Sequence, residues 1–258
     1  ANGTVAVLQV VGVADAKQFG AKGNGVADDT NALSAWVVAV QGGKGFIPAG
    51  VYNHTGLTLL PQYAYNIEGE AWDGAGTNGS VLVNTDESGG HAITIDNTPF
   101  AQNYDSQIKI KDLTVKGNPL SGDGINADQT MVFLENVWLT GNARGYRALR
   151  CYSSSFKQVY FVNNRQHGFS AQRALNAVVF DHCLFNGNAK EEGFSGCSLA
   201  GASGIDRNFG VKFISCDFTG NGDALVGGFG LTLAQSTGVS IDTCYFESNS
   251  LDNLFAPS

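Results

Sequence analysis

Val211–Asn221 reads VKFISCDFTGN. Apolar side chains stand at Val211, Phe213, Cys216 and Phe218, which lie 10, 8, 5 and 3 residues before the closing Asn221. The same pattern closes on Asn118 (IKIKDLTVKGN), Asn142 (VFLENVWLTGN), Asn188 (VVFDHCLFNGN) and Asn249 (VSIDTCYFESN). Ser154–Asn164 (SSFKQVYFVNN) is a less regular copy, with Ser154 in the first apolar position. Offsets 10 and 8, and again 5 and 3, have a period of 2, which places each pair on one face of a strand. The three-residue step between the pairs predicts a bend. Successive asparagines are 24, 22, 24, 33 and 28 residues apart.

A third short strand follows most of these asparagines. Gly124-Ile125-Asn126-Ala127, Gly145-Tyr146-Arg147-Ala148, Gly168-Phe169-Ser170-Ala171 and Gly193-Phe194-Ser195-Gly196 share one form. Three strands in a unit of about 22 residues suit one coil of a parallel β-helix, with equivalent residues about 4.8 Å apart in neighbouring coils. Stacked asparagines are expected to bond along the axis as a ladder, and asparagine also tolerates the left-handed backbone of a sharp turn. The two longest gaps predict insertions around Ser198 to Asn208 and Gly222 to Gly230, because insertions in repeats map to loops. Leu57/Leu59, Val81/Val83 and Ile93/Ile95 mark earlier, blurred coils, and chain length over unit length predicts roughly eight to ten coils.

Residues 1–50 form a different N-terminal segment, continuous with a β-helix over 51–258. Asp28-Asp29-Thr30 is expected to cap a helix over Asn31 to Val40, which Gly42-Gly43 breaks and a strand at Phe46-Ile47 follows. That helix would cover the open N-terminal end of the solenoid. The stretch Phe19-Gly20-Ala21-Lys22-Gly23-Asn24-Gly25-Val26-Ala27-Asp28-Asp29-Thr30, followed by Pro48-Ala49-Gly50-Val51-Tyr52, resembles the opening of the pectate-lyase-like superfamily. That group includes phage tailspike depolymerases, polygalacturonase-related hydrolases and alginate epimerases. The resemblance implies an all-β, right-handed parallel β-helix with an N-terminal capping helix. It does not imply one reaction, because a shared scaffold carries varied sites.

The chain has 258 residues, a net charge of −8, 34 glycines and 5 prolines. Its length allows one large core. The acidic balance argues against nucleic acid as a general partner. No apolar run is long enough to predict a membrane span. The absence of an initiating Met and of a leader-like start reads as a processed or excised chain. The last coil runs straight into Leu251–Ser258 with no evident cap. Cys183, Cys216 and Cys244 share one inward slot and read as small buried residues, although one coil of separation is within disulfide reach. Cys151 and Cys197 have no zinc-type spacing.

Alternation points Asn126, Arg147, Ser170 and Ser195 outward from the third strand. Asp123, Arg144, His167 and Glu192 lead into it, and Asp128, Arg150 and Arg173 lie at or beyond its far end. Stacking gathers these into one patch. Asp123, Arg147, His167, Arg173 and Glu192 are the candidate catalytic residues. Asn126, Asp128, Arg144, Arg150 and Ser170 are the candidate substrate contacts. A hydrolase needs two carboxyl groups, for which Asp123, Asp128, Glu191 and Glu192 are available. A lyase or uronate C5-epimerase needs cations to neutralise a carboxylate and a group such as His167 to move a proton. The blander readings are a backbone-bonding turn histidine, a turn aspartate and solvated arginines. Trp138 is free to face outward toward sugar, while Trp36 reads as helix packing.

The resemblance refines this patch. Asp123 before Gly124-Ile125 is similar to the first motif of polygalacturonase-like hydrolases, and His167-Gly168 looks like their Gly-His-Gly. Ala143-Arg144-Gly145 stands where their paired aspartates belong, and the Asp-Pro-His-Glu motif of alginate epimerases is absent. The expectation is a polysaccharide lyase or glycoside hydrolase acting on an extracellular, acidic glycan, secreted or virion-associated. The alternatives are a non-catalytic glycan-binding or structural spike module, including a homotrimer, and a C5-epimerase. No metal ligand set can be named, although Ca²⁺ is a guest that the resemblance brings into view.

Overall fold

The computed structural model describes residues 12–74, 77–96, 106–128, 131–200 and 208–256. The chain winds as a parallel β-helix with three strand-bearing faces. The first two faces belong to one 16-stranded sheet and the third is a 10-stranded sheet, all paired in parallel. The first face runs from Val13–Asp15 through Lys44–Ile47 and Tyr65–Gly69 to Ser240–Asp242. The third runs from Leu57–Leu59 through Ile125–Ala127 and Tyr146–Tyr152 to Leu254–Phe255. Strands within residues 13–50 pair directly with later coils, so this segment supplies rungs as well as a cap.

The bend between the first two faces has a fixed chemistry. Asp112, Asn136, Gln158, His182, Ser215 and Thr243, each six residues before a repeat asparagine, all have φ between 50° and 56°. One left-handed residue turns the chain without ending its pairing, so Gln107–Lys116 and Met131–Thr140 run continuously across the corner. The left-handed residue expected at the repeat asparagine sits one position earlier instead. It is Gly141, Asn163, Gly187, Gly220 or Ser248. The asparagine side chain is thereby left free to point inward.

Five of the six asparagines form the ladder. Nδ2 of Asn142, Asn164, Asn188 and Asn221 each donates to Oδ1 of the next asparagine, at 3.3, 2.9, 3.1 and 2.9 Å. Each of those oxygens also accepts the preceding asparagine's backbone N–H. The ladder fills a buried seam where backbone groups at a turn would otherwise lack partners. Asn118 does not extend it. Its Nδ2 donates to the carbonyls of Asn84 and Asp86, and Asn142 Oδ1 is left without a partner.

The ladder explains the glycine that opens each third strand. A Cβ at Gly124, Gly145, Gly168, Gly196 or Gly230 would lie 2.7–3.0 Å from the amide nitrogen of Asn142, Asn164, Asn188, Asn221 or Asn249. In the fourth of these strands that glycine is Gly196, not Gly193. Phe169, Ser170 and Ala171 pair with Cys197, Ser198 and Leu199, three residues later than the sequence pattern predicts. The Gly-aromatic cue at Gly193-Phe194 marks the turn before the strand.

Inside, identical residues stack by coil. Phe156, Phe180 and Phe213 form one column at 4.9 and 4.7 Å. Phe161, Phe185, Phe218 and Phe246 form another at 4.7–4.8 Å. Cys183 and Cys216 are buried in a third, Cys244 is partly covered, and all five cysteines are free thiols. The insertion expected near Ser198 falls largely on 201–207, outside the described residues.

The N-terminal helix is Thr30–Ala39 and buries Leu33, Trp36 and Val37 against the end of the coil. Asp28 accepts from the Thr30 amide at 2.9 Å, while Asp29 accepts from the amides of Lys22 and Gly23. Only the Asp28 side chain therefore bonds to the first turn of the helix, while Asp29, at the N-cap position, straps the glycine turn to it. Gly23, at φ 59°, packs so closely on Tyr52 that a Cβ would meet its ring at 2.6 Å. No helix among the described residues is long and apolar enough to cross a membrane.

Candidate functional site

The third face gathers the polar residues that its strands direct outward. Parallel register aligns Thr94, Asn126, Arg147, Ser170, Ser198 and Thr232 in one row across six coils. The residues three positions earlier are His91, Asp123, Arg144, His167, Ser195 and Phe229. Asp123, Arg144, Arg147, His167, Asn126 and Ser170 thus share the surface that the sequence pattern predicts. Glu192 does not. It is exposed at the turn before the strand, and Ser195 takes its place in the row.

Asp123 organises one end of the site. Its carboxylate has no solvent exposure, and Arg144 Nε donates to Oδ1 at 2.7 Å. The Asp123 backbone N–H donates to His91 Nδ1 at 3.0 Å, and Oδ2 lies 3.3 Å from that nitrogen. Oδ2 has no hydrogen-bond partner. Burial lowers the His91 pKa, opposed by Asp123 and reinforced by Arg147 and Arg144. His91 was not among the sequence candidates. Its coil lies outside the regular asparagine series, and only the Ile93/Ile95 alternation marks its phase.

Arg147 is held differently. Its Nε and NH2 groups donate to the neutral Gln172 Oε1 at 2.9 and 2.6 Å. It forms no ion pair among the described residues. Burial, then the like charge of Arg144, lowers its pKa. Asn126, its neighbour in the row, has a buried Oδ1 with no partner.

His167 Nδ1 lies 3.0 Å from the Ser195 amide nitrogen and 3.3 Å from its carbonyl oxygen. The ring meets Phe194 edge-on at 4.9 Å. Although part of the side chain meets solvent, the ring lies deep enough that burial holds its pKa down to about 4. It is therefore neutral at pH 7. His91 repeats the same contact on Asp123, so backbone bonding by a histidine in this row is a device used twice. Ser170 and Ser198 are buried within the row, and the Ser195 and Thr232 hydroxyls are 2.7 Å apart.

Asp128, Arg150 and Arg173 form a second cluster at the far end of the strands, together with Asp96 one coil before Asp128. Burial raises the Asp128 pKa, Arg150 and Arg173 oppose that shift, and Asp96 adds to it. Glu191 belongs to neither cluster. It lies 3.5 Å from Arg165 and accepts from Gln166, while Arg165 clamps the carbonyls of Asn118 and Ser121. Trp138 faces outward from the second face, but Trp72 and Tyr160 stack with it at 5.3 and 4.9 Å. Trp36 is buried and donates to the Ala14 carbonyl. Among the described residues no three His, Cys, Asp or Glu side chains converge to hold a metal ion. These described residues offer no carboxylate cage for Ca²⁺.

No protein-family model matches the chain, and no curated protein matches it in sequence. Solved structures share its fold. The A-module of the mannuronan C-5 epimerase AlgE6 from Azotobacter vinelandii has a TM-score of 0.65 at 17% identity, over 94% of this chain and 72% of that one. ORF18 of Geobacillus virus E2 has a TM-score of 0.62 at 15% identity, over 95% and 61%. The enzymatically active domain of bacteriophage CBA120 tailspike protein 2 has a TM-score of 0.62 at 12% identity, over 96% and 46%. The chain thus spans under two thirds of the two viral proteins. These likenesses show a shared fold.

Proposed function

We propose that this protein acts on an acidic polysaccharide outside the cell or at a virion surface, and that the third face binds the chain's carboxylates. The observation that carries this reading is Arg147. Its guanidinium is partly desolvated, oriented by a neutral amide and beside a second arginine, with no acidic partner of its own. An arginine so placed favours a planar anion, which it can bind through two parallel hydrogen bonds. Arg144, aimed by the buried Asp123, is the second half of the clamp.

A carboxylate clamp suits removal of the proton next to a uronate carboxylate, the step shared by lyases and C5-epimerases. Neutralising the carboxylate lowers the cost of the developing carbanion. His167 is the proton-moving group on this face. In the resting ring the Ser195 N–H donates to Nδ1 at 3.0 Å and Nε2 carries the proton. To act as base the ring shifts that proton to Nδ1, where the Ser195 carbonyl 3.3 Å away accepts its hydrogen bond, and so frees Nε2. The shared fold with an epimerase module and a tailspike enzymatic domain supports the reading.

Glycoside hydrolysis is the second reading, favoured by a different observation. Asp96 and Asp128 occupy adjacent coils, and Asp128 has the raised pKa of a general acid. Asp123 and Glu191 are less suited to that role, since one is buried and both are engaged. The test is incubation with defined uronate polymers. A rise in ultraviolet absorbance from an unsaturated uronate indicates elimination. New reducing ends without it indicate hydrolysis, and a changed proton NMR spectrum of intact polymer indicates epimerisation. None of these signals from any uronate polymer would overturn the enzymatic reading and leave a binding module.

A further inference from the structure

The first face carries a second, separate charged surface. Register places Lys44, Asn66, Lys109, Phe133 and Ser155 in one outward row over five successive coils. At about 4.8 Å per coil the row is roughly 19 Å long. Two open depressions of about 270 Å³ each lie along it, one lined by Lys44, Asn66 and Lys109 and the other by Asn66, Lys109, Phe133 and Ser155. They share Asn66 and Lys109, and so form one groove that crosses the strands along the helix axis.

The charges beside this groove differ in a telling way. In the neighbouring row, whose Lys111, Glu135 and Lys157 also line the second depression, Lys111 lies 2.9 Å from Glu68 and Lys157 lies 2.7 Å from Glu135, so the cations there are neutralised within the protein. Lys44 and Lys109 have no carboxylate partner among the described residues, and both are exposed. Lys109 Nζ lies 5.8 Å from the Phe133 ring centre. The groove therefore joins two uncompensated cations, an aromatic ring and two short polar side chains on a chain of net charge −8.

We infer that this groove is a binding site for an anionic polysaccharide chain, distinct from the His91–Arg147 face. The cations match the charges of a linear polyanion lying along the axis. The half-buried Phe133 ring offers an apolar patch for sugar C–H groups, and Asn66 and Ser155 supply hydrogen bonds. The choice of an acidic glycan as occupant rests on the function proposed above. The site would hold a long chain beyond the length that the third face engages, which raises retention on polymer without taking part in chemistry.

The experiment compares wild type, Lys44→Ala/Lys109→Ala, Lys109→Glu and Arg147→Gln for binding to immobilised polygalacturonate and for turnover of polymer and short oligosaccharide. Both lysines are exposed, their ammonium groups have no hydrogen-bond or ion-pair partner among the described residues, and circular dichroism verifies that the variants fold. The double variant is expected to bind long polymer about tenfold more weakly, with the difference shrinking as salt rises. Its kcat on short oligosaccharide should stay at the wild-type value. Lys109→Glu should weaken binding further. Equal binding by wild type and the double variant overturns the groove, as does wild-type retention by duplex DNA but not by polyuronate. Wild-type binding that depends on the lysines, with no turnover of any uronate, upholds the groove and sinks the proposed reaction instead.

Discussion

Asp123 and Arg144, one coil apart, form a salt bridge in which the carboxylate is fully buried and the guanidinium reaches the surface. The pair points charge outward from a buried anchor. Asp123→Asn keeps an oxygen for Arg144 but removes the charge that fixes it. Unpairing a buried charged group typically costs about 1–3 kcal/mol. We expect a urea midpoint lowered accordingly and uronate affinity reduced about tenfold, which is about 1.4 kcal/mol. Calorimetric titration with the variant checks this, and unchanged affinity would remove Asp123 from any role in positioning Arg144.

Gly168 has no room for a side chain. A Cβ there would lie 2.6 Å from the Gly196 carbonyl oxygen and 2.9 Å from Asn188 Nδ2. Gly168→Ala is expected to destabilise by about 1–3 kcal/mol or more, because backbone must shift. Gly43→Ala is the control, since its nearest contact would be 3.8 Å away. Thermal unfolding should separate the two variants clearly.

Asn188 accepts from Asn164 and donates to both Asn221 and the Phe161 carbonyl. Asn188→Ala leaves buried partners on both sides unsatisfied, so we expect a loss of about 2–5 kcal/mol. Asn118→Ala, outside the ladder, should cost less. Equal losses in denaturant titrations would mean that the ladder adds nothing beyond local turn bonding.

His54 is fully buried, with Nδ1 accepting from the Gly56 amide and Nε2 unpartnered. Burial holds its pKa down to about 4. The unfolded chain therefore takes up a proton near pH 6.5 that the folded chain refuses until about pH 4. Stability should fall as pH drops through this window and level off below it, with His54 contributing up to about 3 kcal/mol. His167, held at about 4 as well, adds a loss of the same sign. The measurement is the urea midpoint from pH 7 to pH 4, which His54→Gln should make less steep.

The proposed base predicts its own pH behaviour. His167 remains unprotonated well below neutrality. If it accepts the proton, kcat should hold from pH 7 down toward about pH 4 before it falls, provided the fold survives. His167→Gln should lower kcat by 10²–10⁴-fold with little change in KM, the range typical of general acid–base groups. A variant that loses only stability would assign the ring to backbone bonding alone.

The strands of the first two faces were legible because period 2 is a property of side-chain direction, which sequence displays directly. The corner residues were not. Gln158 and Thr243 adopt the same left-handed backbone as Asn136, although neither side chain advertises it. The third face was legible where glycine preceded a large residue, as at Gly145-Tyr146. It was misplaced at Gly193-Phe194 because the actual constraint is the ladder amide beside the glycine. Cys197 satisfies the inward position that an aromatic occupies elsewhere. The sequence does not single out His91, because its coil precedes the ladder. Glu191 and Glu192 drew attention as carboxylates, yet acidity alone does not reveal that one serves Arg165 and the other faces solvent.

Asn142 and Asn164 are 22 residues apart, and Asn188 and Asn221 are 33 apart, yet both pairs close the same amide bond at 3.3 and 3.1 Å. The ladder works as a pawl on a ratchet. However far the chain wanders between rungs, it must re-engage at the next tooth. Segment length is therefore free to drift while phase stays locked, and mutation can rewrite the excursions wholesale without disturbing the axle on which they turn.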